Sequence, residues 1–378
     1  MRPITQEKID QLTAFMEAQG IDLIFISDWE HSRDVNMRYL TGHPMDAYLT
    51  ITASGETTLI PWDVGLAEDH AEADTIVTDE NARQNYAEFV AKSTSKDTPV
   101  IGLNLNAPYK VILDIKQKLP GVKFFENPYL INNEFSSLRK TKSSFELDKL
   151  FEAGKIGNKV IEDIRKFTLE AKDDTENDLS FIVMKKIREY GGEDNSFPSL
   201  IANTTRAHQI HCHPSAGNNK YSEKGLALID FGALCDGYAS DITIPITFGK
   251  LTAEQEKMHK TTIKAYEAAI EAIELGVPLW QISKAADDVM QEAGYHMPHS
   301  LGHGLGLTVH DSPSLRLKPT EEDKLAHWVE VVVEDGMVFT IEPGVYVKGL
   351  GGQRLENDVM IKNGKVEVYT KSEPIIIE

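Results

Sequence analysis

Cysteine is nearly missing from this chain: Cys212 and Cys235 are the only two in 378 residues. With no Cys-x-x-Cys pair, neither a disulfide framework nor a thiolate zinc site is indicated, and a reducing compartment fits. Long apolar runs are missing too. None approaches the roughly 20 residues a bilayer-spanning helix needs, and the opening Met-Arg-Pro-Ile-Thr-Gln-Glu-Lys lacks the apolar core of a secretory signal. Positive charge is scarce: 39 Lys and Arg stand against 59 Asp and Glu, a formal net charge of -20. Such a surface repels nucleic-acid phosphates and anionic lipid alike. A cytoplasmic protein with no nucleic-acid and no membrane partner is expected. What is present, 41% hydrophobic and 26% charged residues, is the composition of a folded globular protein long enough for about two domains.

Ile9, Leu12, Phe15 and Met16 recur at helical spacing, and Gly20 stops that helix before a strand-like segment at residues 23–26. Further strands are expected at 47–52, 57–61, 75–78 and 100–103, with helices at 81–92 and 109–118. Together these predict a small α/β domain over 1–135. From residue 143 the pattern changes to long helices (about 143–168, 175–190, 252–275 and 279–293), separated by strand-rich stretches that hold most of the histidines. A second, larger domain over 136–378 is expected, joined to the first through the polar, basic segment 136–143. No solenoid repeat or low-complexity tract interrupts it.

The chemistry-bearing residues fall in three clusters of the second half. In the first, Asp236-Gly237 is a strong signal for a two-residue hairpin turn. If those residues form the loop, Cys235 pairs with Tyr238, Asp230 falls opposite Thr243, and Asp241 becomes a diagonal neighbour of Asp230 on one face. Two carboxylates about 4 Å apart repel by about 4 kcal/mol at an effective dielectric of 20, so a positive group should sit between them. Alone, the pair reads equally well as one turn cap and one solvent-facing Asp; Asp236 is the turn residue.

The second cluster, 297–311, sets His299, His303 and His310 among Gly302, Gly304 and Gly306. Imidazole is a common ligand of divalent metals and a proton carrier near neutral pH. Gly-His-Gly-Leu-Gly does not match the G-x-G-x-x-G spacing of a dinucleotide loop. The third cluster places Glu342 and Glu356 in apolar, β-branched segments, with Arg354 two residues before Glu356. A buried carboxylate must find a partner or take up a proton, and an Arg354–Glu356 network alone would meet that need. Taken together, Asp230, Asp241, Glu342, Glu356 and His303 make an oxygen-dominated donor set without sulfur, whose four negative charges balance two divalent cations. It suits manganese, then cobalt, iron(II) or zinc. Two such ions acidify a water and polarise a carbonyl, which is the chemistry of hydrolysis.

These motifs resemble those of the dinuclear metallopeptidase family of the pita-bread fold, which contains prolidase, aminopeptidase P, methionine aminopeptidase and the non-metal enzyme creatinase. The resemblance covers nearly the whole chain. It implies an α+β fold, a pita-bread catalytic domain preceded by a smaller α/β creatinase-like domain, the latter matched by Asn36-Met-Arg-Tyr-Leu-Thr-Gly42. It implies Asp230, Asp241, His303, Glu342 and Glu356 as ligands of two metal ions. His299, His310 and either His211 or His213 fall at the places of substrate-contacting histidines, His211 being preferred for its spacing to Gly225. Glu342 takes the role of proton shuttle, and Arg354 positions Glu356. The implied substrate is a small peptide with proline at its second position, cleaved before that proline by an Xaa-Pro dipeptidase. An aminopeptidase P acting on longer peptides is the alternative, and a catalytically inactive binding scaffold the remote one. A homodimer is the family expectation. The chain departs from the family where an Arg often follows Asp-Ile-Thr, here Ile244, and where an Asp often follows the last ligand, here Asn357.

Overall fold

The computed structural model describes residues 2–30, 33–79, 81–170 and 173–378. They divide into two compact units, Met1–Arg139 and Lys140–Glu378. In the first, helix Gln6–Gln19 is capped by the Thr5 side chain and ends at Gly20, whose φ of 66° is the left-handed conformation that terminates helices. A six-stranded mixed sheet follows in the order β4-β3-β2-β1-β5-β6. Its strands are β1 (Leu23–Ser27), β2 (Ala47–Thr52), β3 (Thr57–Pro61), β4 (Thr75–Ile76), β5 (Val100–Leu103) and β6 (Lys123–Phe124). Phe25, Tyr48, Ile60, Tyr86, Val90, Ile101 and Ile115 form its core.

Three short sequence readings need correction here. The helix expected from residue 81 begins only at Tyr86, after a turn. Helices Val35–Thr41 and Val64–His70, each opened by an Asp side-chain cap, were not anticipated. The segment 136–143 is not an extended linker: helix Pro128–Lys140 runs into it. Ile131, Phe135 and Leu138 recur at helical spacing and are buried, and Arg139 is buried as well, its guanidinium bonded to Asn36. A basic, polar composition masked that stripe.

The second unit carries two sheets. One has the order β20-β12-β9-β8 and the other β14-β13-β15-β18-β19, with smaller groups β11-β10-β7 and β16-β17. These strands are β7 (Asp194–Asn195), β8 (Leu200–Ala202), β9 (Gly225–Phe231), β10 (Ala233–Cys235), β11 (Tyr238–Ala239), β12 (Ile242–Phe248), β13 (Gly302–Gly304), β14 (Asp311–Leu315), β15 (Val338–Ile341), β16 (Gly344–Val347), β17 (Gly351–Arg354), β18 (Asn357–Lys362), β19 (Lys365–Val368) and β20 (Ile375–Ile377). Helices Ser144–Glu170 and Glu176–Glu189 pack Val160, Ile164, Leu179 and Val183 against Ile229, Phe231, Ile242 and Ile244 of the first sheet. Helices Ala253–Glu271 and Leu279–Glu292 pack Met258, Ala265, Ile282 and Met290 against Phe339, Ile341, Val359 and Ile361 of the second.

The strand period of two then decides what the other faces carry. Ile229, Phe231, Ile242 and Ile244 turn to the helices, so Asp230, Asp241 and Thr243 turn away from them. The hairpin has the expected register: Cys235 pairs with Tyr238 and Thr243 with Asp230. Asp236 and Gly237 have φ of 49° and 80°, the two left-handed residues a type I′ turn requires.

At Gly232, just past Asp230, a Cβ would stand 1.8 Å from the carbonyl oxygen of Ser240. Only a backbone shift could relieve that contact. Gly232→Ala is therefore expected to lower stability by about 1–3 kcal/mol, the usual scale of overpacking, read as a lower melting temperature. An unchanged melting temperature would show that the two strands are less closely apposed here.

Candidate active site

Asp230, Asp241, His211, His299, His303, His310, Glu342, Arg354 and Glu356 all line one cavity of about 600 Å³ within the second unit. His213 is not among its lining residues. The first sheet supplies Asp230 and Asp241. Glu342 follows β15, Arg354 ends β17, and Glu356 sits between β17 and β18, so both sheets contribute carboxylates.

Ligand atoms of Asp241, His303 and Glu356 lie within 4.8 Å of one another. His303 Nε2 is 3.5 Å from Asp241 Oδ2 and 3.5 Å from Glu342 Oε1. Its Nδ1 is 3.1 Å from the carbonyl of Gly304 and donates to it, which leaves Nε2 turned to the carboxylates. Asp230 Oδ1 is buried and, among the described residues, has no hydrogen-bond partner.

Arg354 is the one Lys or Arg among the described lining residues, and each of its three nitrogens is engaged. It donates to Asp230 Oδ2 at 2.5 Å, to Thr243 Oγ1 at 2.8 Å, to the Tyr346 hydroxyl at 2.8 Å and to the carbonyl of Ile210 at 3.4 Å. Thr243 passes its own proton to Glu356 Oε2 at 2.6 Å. The expected pairing of Arg354 with Glu356 is looser, 3.8 Å from Nε to Oε2. Arg354 thus grips Asp230 directly and reaches Glu356 through Thr243. His299 Nε2 stands 3.1 Å from the Tyr346 hydroxyl, and the rings of His303 and His310 meet edge to face with centroids 4.3 Å apart.

Some contributors escaped the sequence reading. Tyr346 lay four residues beyond Glu342 without an assigned role, and Asp358 two beyond Glu356. Asp358 is fully buried and accepts the backbone N–H of Asp241 at 3.2 Å. Two acidic residues so close in an apolar strand, Glu356 and Asp358, were the available signal.

The sequence model described as Metallopeptidase family M24 matches residues 148–363, more than half of the chain. This chain belongs to metallopeptidase family M24. Residues 8–133 match the Creatinase/Prolidase N-terminal domain. An Xaa-Pro dipeptidase from Pyrococcus furiosus is 28% identical over 372 residues, covering 97% of this chain and 99% of the relative. A dipeptidase crystal structure from Pyrococcus horikoshii superposes with a TM-score of 0.82 at 28% identity, covering 98% of this chain and 100% of the other. For an Xaa-Pro dipeptidase from Bacillus anthracis the TM-score is 0.82 at 26% identity, with coverage of 98% and 99%. This M24 metallopeptidase therefore has the pita-bread fold behind a creatinase-like N-terminal domain, α+β overall.

The family implies divalent metal, and the donor set of this M24 metallopeptidase fits it. Four carboxyl groups line one cavity with one guanidinium, one acceptor oxygen is orphaned, and an imidazole nitrogen of His303 faces the same point. Without a cation the cluster is electrostatically poor. Burial pushes Asp241 well above the usual carboxylate range, with the charge of Asp230 adding to it. Burial and then Glu356 do the same to Glu342. Burial, with Asp241 and Asp230, raises Glu356 to about 8. Burial moves His299 the other way, down to about 4, and lowers His310.

These shifts fix a pH dependence for the metal-stripped protein. Raised carboxyls hold protons that the unfolded chain has released, so they make stability fall as pH rises. Depressed histidines make it rise, with a slope that fades above about 6.5 as the unfolded histidine loses its proton too. Toward pH 8 the raised carboxyls dominate. Thermal melts in chelator are expected to show a falling melting temperature between about pH 6.5 and 8, with Mn2+ restoring more at pH 8 than at pH 6.5. A melting temperature that rises there would contradict the charge cluster.

Proposed function

We propose that this M24 metallopeptidase hydrolyses the bond between an N-terminal residue and a following proline, as an Xaa-Pro dipeptidase. The observation that carries the reading is likeness along both units: the Pyrococcus furiosus Xaa-Pro dipeptidase aligns over 97% of the chain, not over the catalytic unit alone. Asp230, Asp241, His303, Glu342 and Glu356 would hold two divalent ions, manganese first, with cobalt, iron(II) or zinc as substitutes. In this assignment Asp241 would serve one ion, His303 and Glu342 the other, and Asp230 and Glu356 would help to hold both. When bound, the pair supplies an acidified water and Lewis acidity toward the scissile carbonyl.

The protein's own groups do the rest. Arg354 fixes Asp230, and Thr243 fixes Glu356, so these two carboxylates keep one orientation. His211 or His310, both on the cavity wall, offers a donor to the carbonyl oxygen as charge develops there. Proline leaves as a secondary amine that must gain a proton, and Glu342, half open to the cavity, can carry it. His299, neutral at working pH and held through Tyr346, lines the pocket for the proline ring. Phe197, Pro198 and Leu200 add an apolar wall suited to an imide that lacks an N–H. A cytoplasmic homodimer, with residues 1–135 as the accessory domain, completes the reading.

Chelated protein is expected to leave both an Xaa-Pro dipeptide and an Xaa-Pro-Xaa tripeptide intact, and to cleave the dipeptide once Mn2+ is added. Cleavage of the tripeptide would move the assignment to aminopeptidase P. Cleavage of neither, with metal bound, would remove proline specificity and favour the scaffold. Asp230→Asn should abolish the Mn2+-dependent cleavage. Thr243→Val, which removes the hydroxyl between Arg354 and Glu356, should weaken Mn2+ binding by about 10- to 100-fold; wild-type affinity in a calorimetric titration would discount that link.

A further inference from the structure

Arg354 and Glu356 lie on a stretch, residues 350–357, reached by three polar side chains of helix Ala253–Glu271. Gln255 Nε2 donates to the carbonyl of Leu350 at 2.9 Å, His259 Nδ1 stands 2.7 Å from Gln353 Oε1, and the Tyr266 hydroxyl accepts from Asn357 Nδ2 at 3.0 Å. At about 100° per residue the three fall within roughly 40° of arc. They form one polar line on a helix whose Met258, Ala265 and Ala269 pack into the core.

Gln353 extends that line to the first sheet. It is fully buried, and its Nε2 donates to the carbonyls of Ala227 at 3.1 Å and Ile246 at 2.8 Å, two residues directly opposed across β9 and β12. Both amide protons are thereby used, and the amide oxygen needs a donor, which His259 supplies from Nδ1. Ala227 lies three residues before Asp230 on the same strand.

We infer that Gln353, oriented by His259, is a positioning residue for the metal site, setting the stretch that carries Arg354 and Glu356 against the β9–β12 pair, which carries Asp230 and leads out of Asp241. The inference rests on the assignment of those carboxylates as metal ligands. Other side-chain ties in the site run from Arg354 to Asp230 and Thr243, and from Thr243 to Glu356, and so end on carboxylates that would themselves hold the ion. Gln353, like the backbone bond of Glu356 N to Thr243 O, ties the two segments through neutral groups that are not themselves metal donors.

The test is Mn2+ titration of the chelator-stripped full chain by calorimetry, with circular dichroism of the same samples. Gln353→Met keeps the length of the side chain and removes its three bonds. It is expected to weaken Mn2+ binding by about 10- to 100-fold with an unaltered spectrum, and His259→Ala to weaken it less, in the same direction. Wild-type Mn2+ affinity in Gln353→Met, even with a lower melting temperature, would show a merely structural role and overturn the inference. Should Gln353→Met fail to fold, wild-type affinity in His259→Ala overturns it instead. Wild-type protein that takes up no Mn2+ would overturn the metal-site assignment itself, a failure visible before any variant is made.

Discussion

Four carboxyl groups crowded into one buried cavity, with one guanidinium among them, set the terms for the rest of the second unit. Each close pair repels by about 4 kcal/mol at 4 Å and an effective dielectric of 20, and one arginine cannot cancel four charges. Left free, the side chains would rotate apart or take up protons. The structure blocks the first route by placing the groups on two sheets, each backed by its own helix pair. The second route remains open: burial first, and then the neighbouring carboxylates, push Asp241, Glu342 and Glu356 upward. A divalent cation removes the need for either, so the strain of the empty site is also its affinity.

Rigidity comes from close backbone approach as much as from bonds. Helix Ser144–Glu170 can lie against β12 because Gly157 leaves room for Ile242, whose Cδ1 would be 2.4 Å from an added Cβ. That contact presses on the residue next to Asp241. The Asp358 carboxylate accepts the Asp241 amide, and the Asp358 amide donates to Thr370 Oγ1, so the Asp241 backbone is held by a residue that is itself anchored.

What was readable in the sequence divides by range. The hairpin register was legible because it depends on two adjacent residues, Asp236 and Gly237, whose backbone preference propagates pair by pair to Thr243 and Asp230. The long helices were legible from periodicity, with small differences at their ends. Tyr346, Asp358 and Gln353 were not, because their roles depend on partners far along the chain: Asp358 meets Asp241 across 117 residues and Gln353 meets Ala227 across 126. Periodicity carries no such information. The segment around residue 138 failed for the opposite reason, since its charged residues outvoted an apolar stripe only three residues deep.

The two departures from the family pattern have local explanations. Ile244 is fully buried in the core between β12 and the helices, on the face opposite Thr243. An arginine there would need a partner that this core of aliphatic side chains does not offer. Asn357 uses both ends of its amide: Nδ2 donates to Tyr266 and to the carbonyl of Ser372, while Oδ1 accepts from Thr370 and from the Ser372 amide. A carboxylate could keep the two acceptor contacts but not the donors, and it would add a charge between Glu356 and Asp358, where burial and neighbouring carboxyls already push both groups up. In this chain an amide at residue 357 lets the segment carry the buried carboxyl groups of Glu356 and Asp358 on either side without a third adjacent negative charge.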